Sequence, residues 1–329
     1  MFFNMLTIST LIVISSLSWM SAWIGLEMNL LAIMPLMKNN KSKLAAESMI
    51  KYFMIQTMAS TLLLFSIIIF SIFKFLSTDF IFISSLLTNS ALLMKMGAAP
   101  FHFWLPEISS GMSWKMNFII LTWQKIAPMI LLSYSIYTPM FLSIIIIISS
   151  LTSGIQGINQ ICLRKIMAYS SINHSSWMIA TIMNSMNIWF YYFLIYSIIN
   201  FNIMIILNKY HIYYFSQLSY LFFSNKYLKF LFMLNFLSLG GLPPFLGFFP
   251  KWITINIFIY ENYFVLSFLL IVFTLISLYF YLRISFSTFS LNSIENLMKT
   301  FSKINYFHFF FNFMSLTGLV VIFFLSNFN

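Results

Sequence analysis

The chain has 329 residues, 61% of them hydrophobic and 7% charged, with a mean hydropathy of +0.92. So large an apolar share excludes an ordinary soluble domain and points to an all-α polytopic membrane protein, because apolar runs of 18 or more residues read as spans. Seventeen Lys and Arg against six acidic residues give a net charge of +11, but these cations stand singly or in small clusters between apolar runs, which excludes nucleic acid as a partner and fits the positive-inside rule.

Run length and polar breaks predict about eleven spans, at roughly 3–20, 22–37, 49–73, 80–98, 114–135, 139–158, 164–184, 187–207, 229–249, 262–283 and 306–326. No Lys or Arg precedes Lys38, so neither a basic signal n-region nor an Arg-rich presequence is expected, and the N-terminus should enter the membrane uncleaved. The second span is short and carries Glu27. The fourth and ninth run into Pro-rich segments. The most polar connectors are 38–48, 208–228 and 284–305, the last with room for a surface helix around Ile294 to Ser302.

Charge placement orients these spans. With the N-terminus on side one, that side's loops hold Lys38, Lys41 and Lys43, then Lys115 against Glu107, Arg164 and Lys165, Lys209, Lys226 and Lys229, and Lys299 and Lys303 against Glu295, with Arg283 at the border. The opposite side shows Lys74, Asp79 and Glu261. Side one is therefore the cytoplasm or the mitochondrial matrix, and the C-terminus lies opposite. Cys162 is the sole cysteine, which excludes an intrachain disulfide and an iron–sulfur cluster bound by several thiolates.

Two stretches match without gaps: GAAPFHFWLPE, Gly97 to Glu107, and GLPPFLGFFPK, Gly241 to Lys251. They share Gly97/Gly241, Pro100/Pro244, Phe101/Phe245, aromatic Trp104/Phe248 and Pro106/Pro250. One sits at span four and the other at span nine, so the repeat unit is five helices, and an odd number inverts the second copy. This predicts a first unit at 1–135, an inverted second unit at 136–283, and a connector with a last helix at 284–329. The breaks would involve Gly97 and Pro100 in the first unit, and Gly240, Gly241, Pro243 and Pro244 in the second. Inverted-repeat transporters place broken helices at matching positions beside the transport path; the alternative is chance likeness between two Pro-rich turns. Backbone groups freed by Pro and Gly at membrane depth are tolerated where they meet protein or water.

Four charges fall inside spans: Glu27, Lys95, Lys125 and Lys251. Each costs at least about 2.5–3.5 kcal/mol at a helix centre. Snorkelling suits Lys51 and Lys74, near helix ends, but not Lys95 or Lys125, deep in their spans, nor the short Glu27. Lys251 follows a break, and its depth does not follow from pattern. Ser84, Thr88 and Lys95 share one helix face, as do Ser170, His174 and Thr181, and Thr122 is one turn from Lys125. Such hydroxyls either line a polar interior or bond helix to helix. His174 is either a proton relay or a hydrogen-bonded packing residue. A carboxylate about 8 Å from an ammonium, at an effective dielectric of about 20, is worth about 2 kcal/mol. Moving one charge across 100 mV takes about 2.3 kcal/mol. A carboxylate–lysine–lysine series therefore matches the work of a proton switch. The four histidines, His102, His174, His211 and His308, are scattered, and no phosphate loop, CxxC or HExxH occurs.

WIGLEMNLLAIMPLM (23–37), LLMKMGAAPFHFWLPE (92–107), LTWQKIAP (121–128), LRKIMAYSSINHSSWM (163–178) and GGLPPFLGFFPKW (240–252) together resemble the chain 2 family of antiporter-like subunits in respiratory complex I, over essentially the whole chain. The Ile-, Phe-, Met- and Asn-rich composition looks like an AT-rich mitochondrial genome, as in insects and other arthropods. The resemblance implies two inverted five-helix units and eleven helices. It places the family's membrane-arm glutamate on Glu27, its broken-helix lysine on Lys95, its next-helix lysine on Lys125 and its distal lysine on Lys251, with His174 near the link between half-channels. It implies proton translocation in the mitochondrial inner membrane, N-terminus in the matrix and C-terminus in the intermembrane space, with other membrane-arm subunits and lipids as partners. No cofactor is expected here, since NAD, FMN, iron–sulfur clusters and ubiquinone would bind other subunits, and the chain is not expected to act alone. Alternative readings are a stand-alone cation/proton antiporter and a structural subunit with a relic channel.

Overall fold

The computed structural model describes residues 1–38, 42–73, 78–218, 226–243 and 245–290, together with Phe310, Asn312, Phe313, Leu316 and Gly318. Among them the chain is helical, with one isolated bridge between Cys162 and Tyr214. The helices are α1 (Phe2–Ile14), α2 (Trp19–Met37), α3 (Lys43–Phe73), α4 (Thr78–Met96), α5 (Trp104–Gly111), α6 (Trp114–Leu121), α7 (Trp123–Tyr134), α8 (Pro139–Ile158), α9 (Leu163–Asn184), α10 (Met186–Lys209), α11 (Lys226–Gly240), α12 (Phe248–Tyr260) and α13 (Phe264–Ser290). Six segments of the described residues are long and apolar enough to cross a membrane: Trp19–Met37, Lys43–Ile72, Trp114–Tyr134, Pro139–Ile158, Met186–Lys209 and Phe264–Phe286. The chain is an all-α, multi-pass membrane protein.

Local chemistry corrects several expected boundaries. The first run, expected at 3–20, stops at Ile14, and the serine-rich turn after it ends in Ser18, whose hydroxyl accepts from the Ser21 N–H and caps α2. Part of the polar connector 38–48 is helical, since α3 begins at Lys43. Span five is interrupted at Thr122, whose own hydroxyl donates to the Phe118 carbonyl. Helix α9 is missing from the apolar segments because it is polar and buried. Its Ser170, Ser171, Ser175, Ser176 and Thr181 hydroxyls each donate to the carbonyl three residues back. These groups satisfy their donors within their own helix rather than only between helices.

Both expected breaks are present, and they close in the same way. Gly97 has φ +73° and Gly241 φ +77°, conformations that glycine adopts without a Cβ penalty. Around the first, Gly97 N–H donates to Met94 O and Ala98 N–H to Leu93 O; around the second, Gly241 N–H donates to Ser238 O and Leu242 N–H to Leu237 O. This is the paired-bond glycine cap of a helix C-terminus. The next bonds also correspond: Phe101 N–H to Ala98 O and Leu105 N–H to His102 O, against Phe245 N–H to Leu242 O and Phe249 N–H to Leu246 O. After each break the chain becomes helical again, in α5 and α12, which lie almost wholly between the expected spans. Pro106 and Pro250 are each the third residue of these helices, within the first turn, where a missing N–H leaves no intrahelical bond unmade.

The chain divides into two compact units. The first comprises Met1–Ser149 with Ile182–Asn184, and the second Ser150–Thr181 with Ser185–Asn329. In the first, α2 packs on α1 and α3, α4 on α3 and α7, and α5 on α3. In the second, α11 packs on α10 and α13, and α12 on α10 and α13. Pro244, the expected surface helix around Ile294 to Ser302, the C-terminal Asn329 and the charges Lys41, Lys74, Glu295, Lys299 and Lys303 lie outside the described residues, as does most of the expected eleventh span.

Candidate functional site

The first unit collects Glu27, Lys95 and Lys125. Lys95, on the last turn of α4 just before the Gly97 break, is 7% exposed, and Lys125, on the first turn of α7, is 1% exposed. Neither lysine snorkels. Glu27, on α2, is half-buried and interacts electrostatically with Lys95 without direct ion-pair contact. Its Oε1 is buried and has no hydrogen-bond partner among the described residues. Lys51, by contrast, is exposed and bridges Glu47 and Glu107, each at 2.9 Å.

Neutral side chains fix the surroundings of these charges. Asn29 and Gln124 exchange two amide hydrogen bonds, of 3.1 and 2.9 Å, and so tie α2 to α7 beside Glu27 and Lys125. Gln56 of α3 donates to the Lys95 carbonyl at 3.2 Å, closing one backbone group at the end of α4. Asn89 donates to Ser135 O and Thr138 Oγ1 and accepts from the Ser135 hydroxyl. Ser84 and Thr88, expected on the Lys95 face, are buried and line a cavity of about 80 Å³ with Ser85, Ser135 and Tyr134. The sequence reading missed Asn29, Gln56, Asn89 and Gln124. The signal was available, since an uncharged amide at membrane depth also needs a partner.

The second unit collects Lys251 and His174. Lys251 lies in the first turn of α12 and is 6% exposed. Its Nζ donates to the Gly240 carbonyl at 2.9 Å, so the ammonium closes the end of α11 across the break. A Cβ added at Gly241 would lie 2.8 Å from Lys251 Cδ and Nζ. Gly241 is thus required twice, by its φ and by the lysine chain passing over it. Nζ also stands 5.8 Å from the centroid of the Trp177 ring, on α9. One turn away, His174 Nδ1 and the Tyr192 hydroxyl share a hydrogen bond of 2.9 Å, and the ring packs 4.9 Å from that of Tyr196. The packing reading of His174 has a definite partner in this bond, and a hydroxyl there is also a step along which a proton can pass. Of the break residues, Gly97, Pro100, Gly241 and Pro243 sit in the two turns, and Gly240 is the last residue of α11.

Buried lysines beside opened helix ends, with one carboxylate in electrostatic reach, have the chemistry to hold and release protons. They offer no nucleophile–base pair and, among the described residues, no cluster that would hold a metal ion. The family model for the transmembrane part of NADH:quinone oxidoreductase and Mrp antiporters matches residues 16–277. The chain belongs to this family. Members of the NADH:quinone oxidoreductase/Mrp antiporter family similar to it include NADH-ubiquinone oxidoreductase chain 2 of Anopheles gambiae, 47% identical over 330 residues, covering 98% of this chain and 96% of that one. The same-named chain of Locusta migratoria is 44% identical over 305 residues, covering 93% and 89%. In fold, the chain is similar to one in the respiratory complex I structure of Thermus thermophilus with bound aureothin. The TM-score is 0.83 at 20% identity, with 97% of this chain and 75% of that chain covered.

Proposed function

We propose that this chain is a proton-translocating membrane-arm subunit of NADH:ubiquinone oxidoreductase, complex I, in the mitochondrial inner membrane. The observation that carries the reading is the burial of Lys95, Lys125 and Lys251, each within or beside an opened helix, in a chain of this family. An ammonium that did no work there would be replaced at a gain of about 2.5–3.5 kcal/mol or more. Electron transfer from NADH to ubiquinone belongs to other subunits, with their NAD, FMN and iron–sulfur groups, and this chain contributes a proton path coupled to it. Its partners are the neighbouring membrane-arm subunits and lipid.

In this reading Glu27, Lys95 and Lys125 form one charge series and Lys251 another. The unpartnered Oε1 of Glu27 is a seat for water, which completes its hydrogen bonding and extends the path. A shift of Glu27 towards or away from Lys95 changes the ammonium's energy by about 2 kcal/mol at about 8 Å, comparable to the work of one charge against 100 mV. His174, bonded to Tyr192, serves as the relay of the second unit. The matching glycine caps and four corresponding backbone bonds support two inverted five-helix repeats at 1–135 and 136–283, followed by 284–329, and an eleven-helix chain. Loop charge supports an N-terminus in the matrix and a C-terminus in the intermembrane space.

The test is Lys125→Met in the assembled complex in inner-membrane vesicles, with protons moved per NADH oxidised as the readout. The ratio should fall at least twofold while the complex still assembles and binds NADH. An unchanged ratio would sink the proton-path reading and favour a structural subunit with a relic channel.

A further inference from the structure

Among its described residues, the second unit buries an ammonium with no carboxylate beside it. Among its described residues the one acidic side chain is Glu261, exposed beyond the end of α12. Two neutral groups meet Lys251 instead. One is the Gly240 carbonyl, 2.9 Å from Nζ. The other is the Trp177 ring, whose centroid lies 5.8 Å away, within the range at which an aromatic quadrupole attracts a cation. Trp177 is 1% exposed, so this attraction acts out of water, where it is strongest. Its Nε1 is buried and has no hydrogen-bond partner among the described residues. A buried indole N–H normally finds a partner, so the packing of the N–H does not explain the placement of this ring.

We propose that Trp177 is a positioning residue for the Lys251 ammonium, its indole face and the Gly240 carbonyl together holding the charge where a carboxylate holds Lys95 in the first unit. The proposal rests on Lys251 as a proton carrier. The two groups act on different forms of the lysine. A neutral amine still donates to the carbonyl, but the ring face attracts the charged form alone. Loss of the proton therefore releases the side chain from the ring and leaves it tethered at the break, and regain of the proton draws it back. The unused indole N–H, one helical turn from His174, is a docking point for a water between the lysine and the histidine.

The experiment compares Trp177→Phe, Trp177→Leu and Trp177→Met, alone and with Lys251→Met, in the assembled complex in inner-membrane vesicles. Native gels follow assembly, and the coupled rate of proton transport is read against NADH oxidation. Trp177→Leu and Trp177→Met should slow coupled proton transport roughly tenfold, the scale of one buried cation–π contact, whereas Trp177→Phe, which keeps a π face, should retain most of it. Trp177→Met fills more of the indole's space if the leucine variant does not assemble. On the Lys251→Met background neither substitution should add a loss, because the partner is already gone. Equal losses in Phe and Leu variants, additive losses on the Lys251→Met background, or normal transport in Trp177→Leu overturn the proposal while leaving Lys251 as a carrier. Normal transport in Lys251→Met alone overturns the carrier reading, and the proposal with it.

Discussion

The two helix breaks share a backbone and differ in what is done with the lysine beside it. At the first, Lys95 precedes the Gly97 cap, and the carbonyl it exposes is taken by a neutral donor, Gln56 from α3. The ammonium is left to interact with Glu27. At the second, the lysine comes after the cap, and its own Nζ takes the exposed carbonyl, that of Gly240. One break separates the charge from the helix end, and the other uses the charge to close it. An identical cap therefore does not imply an identical site. The backbone supplies an opened helix end, and the side chain assigned to that end decides whether the lysine answers to a carboxylate or to dipoles.

That contrast can be broken most forcefully at Glu27. Glu27→Gln keeps size and hydrogen bonding while removing the charge that Lys95 feels. Protons moved per NADH oxidised, measured in inner-membrane vesicles, should fall several-fold with assembly intact, since about 2 kcal/mol of charge interaction is lost. No carboxylate substitution in the described second unit should do the same, and Glu261→Gln, at an exposed site, is the control expected to leave the ratio unchanged.

A smaller and more diagnostic effect is expected from the glycines. Alanine at either cap carries the left-handed strain of about 1–2 kcal/mol. At Gly241 the added Cβ also strikes Lys251 at 2.8 Å, whereas at Gly97 the nearest atoms are on Trp104 and Leu105 at 3.1 and 3.2 Å. Gly241→Ala should lower coupled proton transport well beyond its effect on thermal stability, while Gly97→Ala should lower both in proportion. Equal behaviour of the two variants, in paired melting and transport assays, would erase the distinction between the breaks.

The mildest change is expected at Gln56. Gln56→Leu leaves the Lys95 carbonyl without its side-chain donor, at a cost of about 1–3 kcal/mol if no water takes over. Thermal stability of the assembled complex should drop, and transport should change little so long as Glu27 still acts on Lys95. If transport instead collapses with stability intact, Lys95 is drawn into closing its own helix end, as Lys251 is, and the contrast between the breaks is conditional on Gln56.

Much of this was readable from the residues in order. Apolar run length fixed the membrane class, because burial of backbone polar groups in lipid leaves helices as the way to span it. The two gapless Gly–Pro stretches located both breaks, since a left-handed position at a helix end is a local requirement met by glycine. The cost of a charge in an apolar run singled out Glu27, Lys95 and Lys125, whereas the depth of Lys251, just after a break, came from the family resemblance alone. Helices α5 and α12 were missed because proline was read as a breaker, although proline in a first turn costs no hydrogen bond. Which partner each charge would meet was beyond the sequence. Asn29 and Gln124, Gln56 and the Lys95 carbonyl, and Lys251 and Trp177 are far apart along the chain, and a residue's type states that it needs a partner without stating which. Composition and local pattern determined that lysines would stand beside two opened helices. Only tertiary packing, by bringing Gln56 to one helix end and Trp177 to the other lysine, decided that the two would be held by different physics.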